Sequence, residues 1–348
     1  MRRAFLLASL LFGACSLFAP QPAVDLRAVP GALGSARVER SMREGDAVSL
    51  ANELSHAITG VETVFGHTFN DQPKVVFFSS SDTFALGTKQ VLGYSNEIAA
   101  MVANRYGAIF DRDSETIAVN GAAVTADRLD SLLTHELTHN MTHQLTSGAD
   151  LPVWFDEGLA TRLELDALPQ REQWPEQYAL AARAVALTGH TALGDVTTLA
   201  GWHDTFGRIG APLYSYAWRA EQLMEVRVGW AGVVSLLGDV ASGATLADAY
   251  AKRSGESLTA LEARLKADVA PIIVTKKGES GDAMWSIFTA APRMPALVSI
   301  AGQSTYVVTF TVETDEWGVY RGTFGSTAPR GTYRISGAGA SASIDTRP

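Results

Sequence analysis

Apolar residues recur along this chain in two rhythms. Val48, Leu50, Leu54, Ile58, Val61 and Phe65 fall at helical spacing and predict an amphipathic helix. Lys74-Val75-Val76-Phe77-Phe78 is a short apolar run that predicts a buried strand. Tyr106–Phe110 and Glu115–Asn120 predict two more strands, with the polar Asp111-Arg112-Asp113-Ser114 turning between them. Leu129, Leu132, Leu133 and Leu137 then form the stripe of a second helix. Thr125 is its expected N-cap, Asp127 suits the first turn, and Gly148 is its stop. After a Ser147-Gly148-Ala149-Asp150 turn the chain reads as helical again from Leu151 to Ala160. Pro175 opens a helix carrying Tyr178, Leu180 and Val185 and ended by Gly189, and Pro212 opens another that runs through Leu223 and Val226. Two last helices are expected at Leu246–Tyr250 and, capped by Ser257, at Leu258–Val269.

From Ile272 onward the rhythm changes. Short runs such as Leu297-Val298-Ser299-Ile300, Tyr306-Val307-Val308-Thr309-Phe310 and Tyr333-Arg334-Ile335 are separated by Gly, Pro and Asp turns. About six strands at this spacing predict a small β-sandwich, immunoglobulin-like in character. The expected class is α+β: a small N-terminal sheet and a mostly helical second half over residues 41–270, then an all-β accessory domain over residues 271–348.

The chain has 348 residues, 47% hydrophobic, with a formal charge of −9. That supports a full core in more than one domain. An acidic chain without a basic cluster is a poor nucleic-acid binder, and that class is discarded. Arg2 and Arg3 precede a short apolar run that ends in small residues, as in a secretory signal. The only cysteine, Cys15, stands at the end of that run. The segment looks like a bacterial lipobox, with Phe12 where Leu is usual. This resemblance implies residues 1–14 as a signal peptide, Cys15 as the lipidated residue, residues 15–40 as a tether, and a protein exported to the cell envelope and anchored to a membrane. Ordinary cleavage further on, after Ala19, is the alternative.

The chemistry centres on His135-Glu136-Leu137-Thr138-His139. Residues four apart share a helix face, so both imidazoles can point at one metal ion, and Glu136 can reach a water beside it. A catalytic zinc wants three protein ligands and an open position. Glu157, on the next helical stretch, can fold back beside the imidazoles, and Gly158 and Ala160 allow close helix packing. His143 lies on the same face but about 12 Å along the axis from His135, too far to share a metal with both other histidines. It is read as solvated or as a supporting group. His56, His67 and His190 have no motif context.

His-Glu-x-x-His followed by Trp154-Phe155-Asp156-Glu157-Gly158-Leu159-Ala160 resembles the gluzincin zinc metallopeptidases, which include thermolysin-like and M1-type enzymes, and most closely their peptidase MA-like domains. The resemblance implies a thermolysin-like fold, one Zn²⁺, a peptide or protein substrate, His135, His139 and Glu157 as ligands, and Glu136 as general base. Seventeen residues separate His139 from Glu157, one fewer than in M1-type enzymes. The resemblance also places an oxyanion-stabilising tyrosine on Tyr214, with Tyr216 in reserve and His203 as a thermolysin-like alternative. In gluzincins a strand near the metal binds substrate by strand addition. The Glu115–Asn120 strand, through Ile117 and Val119, is the expected one, unless its edges are already paired. The Gly-x-Met-x-Asn segment of M1-type aminopeptidases is missing. The expected activity is therefore zinc-dependent cleavage inside a peptide chain rather than removal of its first residue. The alternative is a non-catalytic envelope lipoprotein that uses the same scaffold and its β-module for binding. The intact Glu136 argues against it, since a structural site needs no general base.

Overall fold

The computed structural model describes residues 23–168, 178, 179, 181–183, 185, 186, 191–267, 272–277, 283–289, 293–302, 307–315, 319–324, 329–338 and 340–347. The signal peptide, Cys15, His190 and most of the Pro175–Gly189 helix lie outside them. Those residues between 178 and 186 that are described are helical.

Five strands form the N-terminal sheet: β1 (Leu26–Val29), β2 (Ser35–Glu39), β3 (Lys74–Phe78), β4 (Ala108–Asp111) and β5 (Thr116–Asn120). Their order is β1-β2-β3-β5-β4, with β2, β3 and β5 parallel and the outer pairs antiparallel. Residues 26–39, expected within the tether, are thus a hairpin paired into this sheet. Val29, Ala36 and Val38 bury their side chains, so releasing the hairpin would expose core.

Alternation along β3 and β5 sorts residues onto two faces. Val75, Phe77, Ile117 and Val119 join the main core with helix α1 (Glu44–Phe65), whose Leu54, Ile58, Val61 and Phe65 match the stripe read from sequence. Val76, Phe78 and Ala118 point the other way, onto Phe84 of α2 (Ser81–Val91) and Val102 of α3 (Asn96–Arg105). The sequence reading missed these two helices. Helix α2 buries only Phe84, Gly87 and Thr88, so its apolar stripe is thin. Gly87 itself reads as a break, yet it is required. A Cβ there would lie 2.0 Å from the Phe78 ring.

The helical half contains α4 (Ala126–Leu145), α5 (Val153–Ala167), α6 (Leu199–Ile209), α7 (Pro212–Val228), α8 (Trp230–Ala241), α9 (Leu246–Ser254) and α10 (Leu258–Ala267). Thr125 holds the N-cap position of α4 without a side-chain cap bond. Helix α5 settles directly on α7 because Gly158 has no side chain. A Cβ there would meet the Ala217 carbonyl oxygen at 2.6 Å and Glu221 Cβ at 3.0 Å.

Beyond residue 271, seven antiparallel strands are described in two sheets. The first is ordered β10 (Val319–Thr323), β7 (Ala283–Phe288), β6 (Ile272–Lys277). The second is ordered β12 (Ala340–Asp345), β11 (Thr332–Gly337), β8 (Pro295–Ala301), β9 (Val307–Glu313). Trp285 and Ile287 of one sheet and Val298, Tyr333 and Ile335 of the other share a single core. The protein is therefore α+β, with a small N-terminal sheet and C-terminal β-sheets. No helix among the described residues is long and apolar enough to cross a membrane.

The α5–α7 interface carries one unusual group. Glu221 is fully buried and neither carboxylate oxygen has a hydrogen-bond partner among the described residues. Burial, only partly offset by Arg162, pushes its pKa up to about 8 from 4.5. The folded chain therefore holds this proton more tightly than the unfolded chain does. Stability is unaffected below about pH 4.5, falls by about 1.4 kcal/mol per pH unit up to about pH 8, then levels off. Thermal melts of Glu221→Gln should match the parent near pH 5 and lie clearly above it near pH 8.5.

Candidate metal centre

Helix α4 carries His135 and His139 on the side that faces α5, with Glu136 one step round the helix and lining the adjoining cavity, and Glu157 projects back from the second turn of α5. The intervening turn is compact. Gly148, with φ of 80°, donates its N–H to the His143 carbonyl, and Ala149 donates to Thr146. This tight turn accommodates the spacing between His139 and Glu157.

The three side chains converge. His135 Nε2 lies 3.2 Å from His139 Nε2, and Glu157 Oε2 lies 3.4 Å from the first and 3.6 Å from the second. With metal–ligand bonds of about 2.0–2.1 Å, the corners of a tetrahedron lie about 3.3–3.4 Å apart. The observed triangle has the size of one face of such a tetrahedron, which leaves the fourth corner open. Among the described residues Glu157 Oε2 is buried without a hydrogen-bond donor, which is costly unless a cation sits there.

Both rings are aimed from behind. His135 Nδ1 lies 3.0 Å from Glu164 Oε2, and His139 Nδ1 lies 3.0 Å from Asp156 Oδ2, although the angle of the second contact is poor for a hydrogen bond. Such carboxylates fix the tautomer so that Nε2 faces the metal. Asp156 also accepts from Thr142 Oγ1 at 2.6 Å and from Arg112 Nη2 at 2.8 Å. Motif reasoning reached none of Glu164, Asp156 or Arg112. The spacing did hold a signal for Glu164, seven residues beyond Glu157 and so on the same face of α5.

The electrostatics favour added positive charge. Burial pulls the pKa of His135 down, but Glu157 and Glu164 more than reverse it, to about 10. Burial likewise opposes protonation of His139, and Asp156 and Glu157 outweigh it, raising the pKa well above the usual imidazole value. For Glu136, burial raises the pKa, while the two imidazoles and the Phe110 N–H lower it in part. The carboxylates that hold protons on the imidazoles would also attract a divalent cation.

The other expected residues fall in different places. Tyr214 stacks edge-on to His135 with ring centroids 6.1 Å apart and is packed by Trp202 and Phe206. Its pKa is raised well above 10 by burial first and then by Glu157, so it stays a neutral donor. Tyr216, the reserve, is fully buried with its hydroxyl on the Thr191 carbonyl at 3.4 Å, and it does not line the cavity beside the imidazoles. His203 lines the same cavity as Tyr214, with Nδ1 3.3 Å from the Tyr106 hydroxyl. His143 is packed against Phe110 rather than solvated. His56 is exposed and pairs with Asp130.

One expectation is overturned. Strand β5 pairs with β3 on one edge and β4 on the other, and Ile117 and Val119 are fully buried in the core. Neither residue can meet a substrate. Among the described residues, the unpaired edge on this side of the sheet belongs to β4. Ala108, Ile109 and Phe110 line a cavity of about 240 Å³ that opens on the imidazoles, and Phe110 to Asp113 line an adjoining one of about 540 Å³. The smaller is walled by Ile98 and Met101 of α3 and Trp202 of α6, whereas the larger is rimmed by Asp111, Asp113 and Asp150.

Fold and site together define an α+β protein with a largely buried His-His-Glu cluster, fit for a metal ion, at the foot of a cleft beside an unpaired strand edge. No protein-family model matches the chain, and no curated protein matches it. Among solved structures it is similar to that of yeast LTA4 hydrolase in complex with bestatin, with a TM-score of 0.39 and 13% identity, covering 70% of this chain and 36% of that one. The chain thus spans little more than a third of that protein's length.

Metal binding must displace imidazole protons, so affinity should fall as pH falls. Chelator competition between about pH 8 and pH 6 should show affinity dropping as pH falls, by about tenfold per unit for each imidazole proton released. Glu157→Gln should bind far more weakly at every pH.

Proposed function

We propose that this protein is a zinc-dependent peptidase of gluzincin type that cleaves within peptide chains. The observation that carries the reading is the open-cornered triangle of two imidazole nitrogens and one carboxylate oxygen, with Glu136 beside it on the same helix. Two nitrogens and one oxygen at tetrahedral spacing suit zinc better than the oxygen-only shells of magnesium or calcium. When bound, zinc supplies a Lewis acid that acidifies water and polarises a carbonyl.

The chain's own residues supply the rest. A peptide lies along the free edge of β4, taking backbone hydrogen bonds there by strand addition. Glu136, held near the Phe110 amide, takes the proton of the attacking water and passes it to the departing amine. Tyr214 remains protonated and donates to the carbonyl oxygen as negative charge gathers on it. Nothing at the described cleft matches the glutamate-bearing segment by which M1-type aminopeptidases hold a free amine, and this favours internal cleavage. The sequence reading of residues 1–14 as a signal peptide and Cys15 as a lipid-bearing N-terminus implies an exported, membrane-anchored enzyme.

Purified protein should cleave unfolded casein, and a chelator should stop it. Glu136→Gln should keep one zinc per chain and lose about 10²–10⁴-fold in turnover. Tyr214→Phe should lose about 10²-fold in kcat, with KM little changed. Zinc-loaded protein that leaves casein and a mixed peptide library intact would end the peptidase reading and turn attention to a binding role.

A further inference from the structure

The support of the imidazoles extends one residue beyond their carboxylates. Behind His139 stands Asp156, and behind Asp156 stands Arg112. Behind His135 stands Glu164, and Arg128 Nη2 lies 3.6 Å from its Oε1. Of the two arginines, Arg112 makes the shorter contact, and it comes from a different part of the chain. It sits in the turn between β4 and β5 and lines the larger cavity. Its Nη2 donates to Asp156 at 2.8 Å, and its Nη1 donates to Asp150 in the α4–α5 turn at 3.3 Å.

We propose that Arg112 is a positioning residue of the metal centre. It fixes the Asp156 carboxylate, and with it the ring plane of His139, and it ties the strand edge of the cleft to the metal ligands. The proposal rests on the metal-binding part of the reading above.

The lone pairs of Asp156 make the case. Oδ1 is held by Thr142, while Oδ2 faces both Arg112 and His139. Without the guanidinium, Oδ2 has only the imidazole itself to hold it, and the carboxylate can pivot. A second consequence follows from the hairpin. Arg112 leaves β4 one residue after its last position, so the same side chain that steadies His139 also sets how far the free edge stands from the ligands. An arginine could instead act only through charge, repelling a cation. The two roles have opposite signs. Loss of a positioning residue weakens metal binding, whereas loss of a nearby positive charge tightens it.

The test is the zinc dissociation constant of the full chain, read by competition with a chromophoric chelator. Arg112→Gln should bind about 10–100-fold more weakly, the usual cost of losing an outer partner of a ligand. Arg112→Lys should recover part of the loss, since an ammonium keeps the charge but not the planar fork. Asp150→Asn should match the parent, because the Asp150 side chain is fully exposed. Metal-free Arg112→Gln should melt lower than the parent, since buried Asp156 loses a partner, but a cooperative melt above the assay temperature separates a loosened ligand from an unfolded chain. If Arg112→Gln does not fold, Thr142→Val frees the other oxygen of the same carboxylate and should also weaken binding. Unchanged or tighter zinc binding in folded Arg112→Gln, or in Thr142→Val, overturns the proposal and leaves the peptidase reading standing. A parent protein that takes up no zinc ends both.

Discussion

The fold has to accommodate a cluster of carboxylates held largely out of water. Glu136, Asp156, Glu157 and Glu164 crowd around two imidazoles, and Asp156 and Glu136 are buried. Buried charge is tolerated only when paired and hydrogen-bonded. The partners come from distant parts of the chain: Arg112 from a hairpin turn, Arg128 and Thr142 from α4, and the Phe110 amide from the sheet edge. The N-terminal sheet therefore does more than fill a core. It delivers counter-charge to a site built on helices, and this explains why the β4–β5 hairpin sits over α4 and α5.

Much of this was legible in the sequence because it was local. Helix α4 and the ligand face of its motif follow from spacing along one helix. The amphipathic α1 and the buried β3 follow from two simple periods, and the change of rhythm after residue 271 marks the β-region. Glu157 was within reach through the Trp154–Ala160 motif, whose Gly158 now has a physical reason in the close approach of α7.

The rest was hidden for reasons that can be named. Which strand has a free edge is a property of sheet order, and no pattern within β5 says that β4 lies outside it. The run Glu115–Asn120 reads as apolar whether it faces a substrate or a core. Helices α2 and α3 bury too few apolar side chains to show a stripe, and Gly87 disguises α2 further. The β1–β2 hairpin was concealed by Pro30, Gly31 and Gly34, which read as a linker. Arg112 looked like one charge in a polar turn, since its partners lie 38 and 44 positions away.

The bond between the Tyr106 hydroxyl and His203 joins the segment entering β4 to helix α6, two walls that stand 97 residues apart in sequence. A single part-buried hydrogen bond contributes on the order of 1 kcal/mol. Both residues line the cavity over the imidazoles, so this weak tie spans its mouth. Parting the two walls at this point costs little beyond that bond and the edge-on contact of the same two rings.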